Sequence, residues 1–187
     1  MLRQVRPGHK HGPVTWTAPE QPRTDPPTVS GERAALESWL EYHRSTLLAK
    51  CQGLTGEQLA QRAVPPSSLS LLGLVRHLTD VERAWFRIRS AGESGLVFRY
   101  VTDEFPDGDF DLAEPSGAEG DLAAYRQECD LARAAMAGRS LDDTFFHPRY
   151  AADVDLRWVY LHMIEEYARH NGHADLLRER LDGSTGE

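Results

Sequence analysis

The segment LRWVYLHMIEEYARHNGHADLLRE, residues 156–179, decides the fold class. Its apolar side chains recur every three or four residues, the spacing of one face of an α-helix. Asp155 suits a helix cap or first turn and Gly183 suits the end, so we predict a helix from about residue 155 to residue 181. The inward-facing positions are Leu156, Val159, Tyr160, Met163, Ile164, Tyr167, Ala174 and Leu177.

The same spacing predicts three further long helices upstream. One runs from Gly31 towards Gly53, one from a cap at Ser67 or Ser68 to about Gly92, and one over residues 121–136. A short helical piece over residues 56–63 ends before two prolines. No alternating run of β-branched residues predicts strands. We therefore expect an all-α fold, a four-helix bundle whose long connections depart from a simple up-and-down topology.

The prolines and the sparse apolar residues near the start predict a flexible tail over residues 1–30, followed by a bundle domain over residues 31–183. We expect residues 1–27 to contribute nothing to the core. Their prolines are Pro7, Pro13, Pro19, Pro22, Pro26 and Pro27.

Composition excludes several functions. A formal net charge of -8 without a basic segment argues against a nucleic-acid partner. No run of about 18 apolar residues predicts a membrane span, and no apolar stretch after Arg3 and Arg6 predicts a secretory signal, so we expect a cytoplasmic protein. Cys51 and Cys129 lie in apolar helical contexts and are expected to be buried free thiols.

Polar side chains gather on one face of the last helix. His162, Glu166, His170 and His173 fall within an arc of roughly 80°. Burying them uncompensated would be unfavourable, whereas imidazole and carboxylate are natural metal ligands. Glu166 and His170, four apart, project side by side, and His170 and His173 form an alternative pair. A polar helix edge that binds no metal is the other interpretation.

A third ligand should come from another helix. In SLLGLVRHLTDVERAWF, residues 70–86, His77 lies at the border of the apolar stripe and is the candidate. Glu82 falls inside that stripe and needs a partner, for which Arg44 is the expected one; orienting a metal ligand is the alternative role.

Together, the segments around His77 and His170 resemble the DinB-like superfamily, most closely its mini-circle, mycothiol-transferase-like branch, over roughly residues 31–183. The resemblance implies a four-helix bundle with long crossovers and a metal held by His77, Glu166 and His170. Zinc is the expected ion, with nickel as the alternative. His173 is implied as a residue behind a ligand or beside the substrate.

The resemblance also implies an enzyme that activates a low-molecular-weight thiol, mycothiol above all, for attack on an electrophile. A thiol-dependent isomerase belongs to the same hypothesis. We expect His173 or Tyr167 to handle the proton, no separate organic cofactor, and residues 95–120 to form a wall over the metal. A metal-binding accessory protein without catalysis and a plain helical interaction module are the alternatives. A homodimer, the native metal and the electrophile are left open.

Overall fold

The computed structural model of the chain describes residues 15–186, which form a helical bundle with one small sheet. The four long helices are α1 (Glu32–Cys51), α3 (Leu71–Glu82), α5 (Ala118–Met136) and α6 (Leu156–Asp182). Two short helices, α2 (Gly56–Ala60) and α4 (Gly108–Asp111), lie in the connections. The predicted all-α bundle is confirmed. Long connections join its main helices, and α1 packs mainly on α6 while α3 packs mainly on α5.

Side-chain caps fix the beginnings of the two helices that carry the predicted metal ligands. The Ser70 hydroxyl accepts a 3.0 Å hydrogen bond from the Gly73 amide and begins α3, so the cap lies two or three residues beyond the expected serines. The Asp155 carboxylate accepts from the Trp158 amide at 2.7 Å and begins α6, as predicted. Gly183, with φ of 79°, ends α6 as predicted.

A two-stranded antiparallel sheet precedes α6, although no strand was predicted from the sequence. Its strands are β1 (Thr144–His147) and β2 (Ala152–Asp155), with Phe145 opposite Val154. The turn between them holds Ala151 at a φ of +49°, which L-residues rarely adopt. The strands are only four residues long and leave too short a pattern for alternation to be read from the sequence.

The core also contains a buried ion pair. Glu82 is fully buried, and its two carboxylate oxygens accept from Arg44 Nε at 2.7 Å and from Arg44 Nη2 at 2.6 Å. The Tyr167 hydroxyl donates to the same carboxylate at 2.7 Å and lies 2.8 Å from the Tyr125 hydroxyl. The predicted pairing of Arg44 with Glu82 is confirmed, and the network ties all four long helices together.

Part of the expected tail contacts the bundle. Ala18 is 3% exposed and belongs to the core, where its amide donates to the Leu54 carbonyl at 2.9 Å and its carbonyl accepts from the Gly53 amide at 2.8 Å. Arg126 donates to the Gln21 side chain at 2.7 Å. The described part of residues 1–27 thus contributes to the core, contrary to our expectation. The remainder, residues 1–14, lies outside the described residues.

Both cysteines are buried and free, as predicted. Burial raises the pKa of each thiol to about 12. Within residues 15–186, no helix combines the length and the apolar character needed to cross a bilayer.

Candidate metal centre

Three side chains from two helices converge at one point. His77 comes from α3, and Glu166 and His170 lie one turn apart on α6. Glu166 Oε1 is 3.3 Å from His77 Nε2 and 3.4 Å from His170 Nε2. One ligand atom from each residue lies within 4.8 Å of the others. The structure therefore brings together the three side chains predicted as ligands, in a geometry that could hold a metal ion.

Asp109 completes this arrangement from behind. His77 Nδ1 donates to Asp109 Oδ2 at 2.8 Å, which leaves Nε2 directed at Glu166. Burial lowers the pKa of His77, but the hydrogen bonds and charges of Asp109 and Glu166 outweigh it and raise the pKa to about 9. The hydrogen bonds from His170 and His77 lower the pKa of Glu166 in turn.

These residues fit a divalent ion. The imidazole of His77 lies between the carboxylates of Asp109 and Glu166. The lone pair on Nε2 repels Glu166, and a cation bound to Nε2, either a proton or a metal ion, removes this repulsion. A carboxylate on the far nitrogen of a histidine is the usual partner of a metal-bound imidazole. Two imidazoles and one carboxylate also leave coordination positions for a substrate.

No sequence pattern indicated Asp109, because its position depends on the long connection 91–117. Arg76, next to His77 on α3, donates to the carbonyls of Asp109 at 2.9 Å and Gly108 at 2.8 Å. The Asp80 carboxylate accepts from three consecutive amides of the connection, those of residues 99–101, at 2.6–3.1 Å. One turn of α3 thus holds the connection in place.

A glycine of α3 allows the connection to approach closely. A Cβ at Gly73 would lie 2.8 Å from the Phe110 ring, closer than real side chains come. The Phe110 ring stacks on His77, with ring centroids 5.2 Å apart. Gly73 therefore makes room for the aromatic side chain that packs on His77.

His173 and Tyr167, the two residues predicted to be catalytic, lie in different surroundings. His173 Nδ1 is 3.3 Å from His170 Nδ1. A His170 that presents Nε2 to an ion carries its proton on Nδ1 and donates it to His173. Tyr167 is fully buried, and its hydroxyl is engaged with Glu82 and Tyr125. Their catalytic roles stay predictions. His162 is not part of the triad.

A cleft of about 410 Å³ opens beside the triad. The connection supplies one wall, including Phe98, Asp109 and Phe110, as predicted for residues 95–120. Two other aromatic residues of this segment do not line the cleft: the Tyr100 hydroxyl donates to Asp121 inside the protein, and Phe105 is 43% exposed. The opposite wall comes from the end of α3 and from the β1–β2 hairpin.

Comparison with known families agrees with the sequence resemblance. A family model described as mycothiol-S-transferase matches residues 35–183, which include the triad, the connection and the hairpin. No curated protein matches the chain.

Proposed function

The chain belongs to the mycothiol-S-transferase family, and from this premise we propose that it joins mycothiol, through its sulfur, to an electrophile, using a divalent ion held by His77, Glu166 and His170. Zinc is the ion we propose first, with nickel as the alternative. The observation that carries the proposal is the convergence of these three side chains from α3 and α6 beside a cleft.

The sulfur must come from the cosubstrate. Both cysteines of the chain are buried, and their raised pKa of about 12 keeps them protonated at neutral pH. A divalent ion in the triad would supply the Lewis acidity that makes a small thiol nucleophilic near neutral pH.

The chain's own residues hold and orient the ligands. Asp109 fixes the His77 ring through Nδ1, and His173 does the same for His170. Glu166 adds a negative charge, which makes the ion a milder acid than three neutral imidazoles would. In the transfer itself a bond forms between sulfur and the electrophilic carbon, the leaving group departs with its electron pair, and the thiol proton passes to a base.

Two imidazoles can accept that proton. His173 is the residue expected from the sequence, and burial together with the charge of His170 lowers its pKa, which keeps it neutral. Its acceptor nitrogen Nδ1 receives the hydrogen bond from His170, so His173 takes the proton only when that hydrogen bond breaks. His162 lines the cleft one turn before Glu166, and burial lowers its pKa as well. A rate profile against pH separates them, because replacing the base with Gln should remove the acidic limb of kcat while the other variant keeps it.

The test of the function uses tag-free protein, mycothiol and monobromobimane, with metal content measured by mass spectrometry. We expect one divalent ion per chain, loss of the rate with chelator and its return with zinc. His77→Ala and His170→Ala should lose both metal and activity, whereas His162→Ala should keep the metal. A rate equal to the uncatalysed background for mycothiol, glutathione and bacillithiol alike would refute the transferase function and favour a metal-binding accessory protein.

A further inference from the structure

Two arginines on the hairpin side of the cleft have no ion-pair partner in the described part of the chain. Arg89, in the π-helical segment Arg83–Ser90 that continues α3, and Arg149, in the hairpin turn, both line the cleft. Among residues 15–186, neither makes a hydrogen bond or an ion pair. Burial lowers the pKa of Arg89, and the charge of Arg149 lowers it further, with an opposing contribution from Tyr150. The two cations therefore repel each other across a shared space.

Both guanidinium groups rest on aromatic rings. Arg89 lies 4.7 Å from the centre of the Trp85 ring, and Arg149 lies 5.9 Å from that of Tyr150. Stacking on a ring face holds a guanidinium by its plane and leaves its N–H groups free to bind a planar anion through two hydrogen bonds. Most other arginines in the described part of the chain donate to carboxylates or carbonyls, for example Arg44, Arg76 and Arg83.

A buried histidine between these rings provides independent evidence of a binding site. His147 is 4% exposed, lines the cleft and stacks on Trp85 with ring centroids 5.1 Å apart. Neither of its ring nitrogens has a hydrogen-bond partner among residues 15–186. Burial, Arg89 and Arg149 lower its pKa, against an opposing contribution from its own backbone, so the ring is neutral and retains one N–H donor. Unsatisfied buried groups of this kind call for a ligand.

Three of the four carboxylates that line the cleft are engaged elsewhere. Glu166 belongs to the triad, Asp109 accepts from His77 behind it, and Asp80 binds the backbone of the connection. The fourth, Asp107, is exposed on the connection. Negative charge is thus concentrated around the triad, while the positive charge of Arg89 and Arg149 lies on the hairpin side of the cleft, against Trp85 and Tyr150. A substrate with its reactive carbon at the triad and an anionic group at the arginines matches this distribution.

We propose that Arg89, Arg149 and His147 form a subsite for a carboxylate on the electrophile, so that the preferred electrophiles are anionic. This rests on the proposed function for the identity of the other reactant. Mycothiol carries no ionised group besides its thiol, so in its reaction the anion belongs to the electrophile. The subsite and the triad share one cleft, which His77 and Glu166 line together with Arg89, Arg149 and His147.

The kinetic test compares 4-(bromomethyl)benzoate with its neutral methyl ester, using metal-loaded protein and mycothiol. In each reaction the C–S bond forms, the C–Br bond breaks with bromide taking the electron pair, and the thiol proton is released. The acid should have a kcat/KM about tenfold to hundredfold above that of the ester. Arg89→Gln and Arg149→Gln should lower the kcat/KM of the acid towards that of the ester and so remove this preference, whereas Arg180→Gln, an equal charge change at an exposed site, should preserve it.

A direct measurement separates the subsite from the chemistry. Titration calorimetry with unreactive 4-methylbenzoate should show binding to the wild type and to Arg180→Gln, and none to Arg89→Gln/Arg149→Gln with unchanged circular dichroism. Absence of binding to the wild type, or equal rates for acid and ester, would overturn the subsite even if transfer occurs. Binding without any turnover would uphold the subsite and sink the transferase. A last comparison uses the neutral methyl ester as electrophile and measures kcat/KM for glutathione and for its diester. If glutathione is preferred and the preference is lost in Arg89→Gln, the subsite binds a carboxylate of the thiol, which would overturn our assignment to the electrophile.

Discussion

Replacing Asp109 with Asn tests the centre at a residue that touches no ion. The Asp109 side chain is 5% exposed and accepts from His77 Nδ1 at 2.8 Å, while its other oxygen accepts from the Phe110 amide at 3.1 Å. Asn offers only one oxygen and no charge, so one of these two donors loses its acceptor. Charge-assisted hydrogen bonds are roughly twice as strong as neutral ones.

The expected result is a zinc affinity about tenfold to hundredfold weaker, equivalent to about 1.4–2.7 kcal/mol. Competition against a chromophoric chelator at fixed pH measures it. Asp107→Asn is the matched control, because Asp107 lines the same cleft, is exposed and carries the same charge. A loss of zinc affinity below about threefold would show that His77 is not oriented by Asp109. An equal loss in Asp107→Asn would show the same, because the removed negative charge of the cleft would then explain both.

Three further predictions concern stability. In chelator-treated protein, the pKa of His77 is raised from 6.5 to about 9, so its contribution to the free energy of unfolding is complete below pH 6.5 and is lost as the pH rises to 9. Urea unfolding should show that this free energy decreases by at most about 3 kcal/mol over that range, and the decrease should be absent in His77→Gln. Glu82→Gln should destabilise the fold by about 3 kcal/mol or more, because a buried guanidinium loses its counter-charge, whereas Glu165→Gln in an exposed pair should change it by less than about 1 kcal/mol; similar values would contradict the buried-pair argument. Gly73→Ala should displace the Phe110 ring that packs on His77 and thereby weaken zinc binding while the protein stays folded. An unchanged zinc affinity would show that the ring can move aside freely.

The sequence predicted those features that depend on helical periodicity. The four long helices follow from apolar spacing, and the pair Glu166 and His170 follows from the rise of one turn. His77 lies on a different helix, so its approach to Glu166 and His170 could not be read from periodicity. Only the need of the polar cluster for a further ligand and the family resemblance suggested His77.

Features that depend on tertiary contacts were missed. Asp109 reaches His77 because Arg76 and Asp80 hold a long connection, and no local pattern encodes that. The hairpin is too short to show alternation, and Ala18 enters the core through backbone hydrogen bonds that any residue can make. The cap at Ser70 was misplaced because three nearby serines are equally suitable on sequence alone.

The connection 91–117 has two tasks, since the same segment forms a wall of the cleft and supplies the carboxylate behind His77. A mutation that reshapes this wall therefore also risks releasing His77 from the carboxylate of Asp109. The cleft-lining residues of the hairpin are free of this constraint, because within residues 15–186 they make no hydrogen bond, ion pair or ring contact with the triad or with Asp109. During divergence of the family, changes in substrate preference should therefore accumulate in the hairpin turn, while the connection keeps the residues that hold His77.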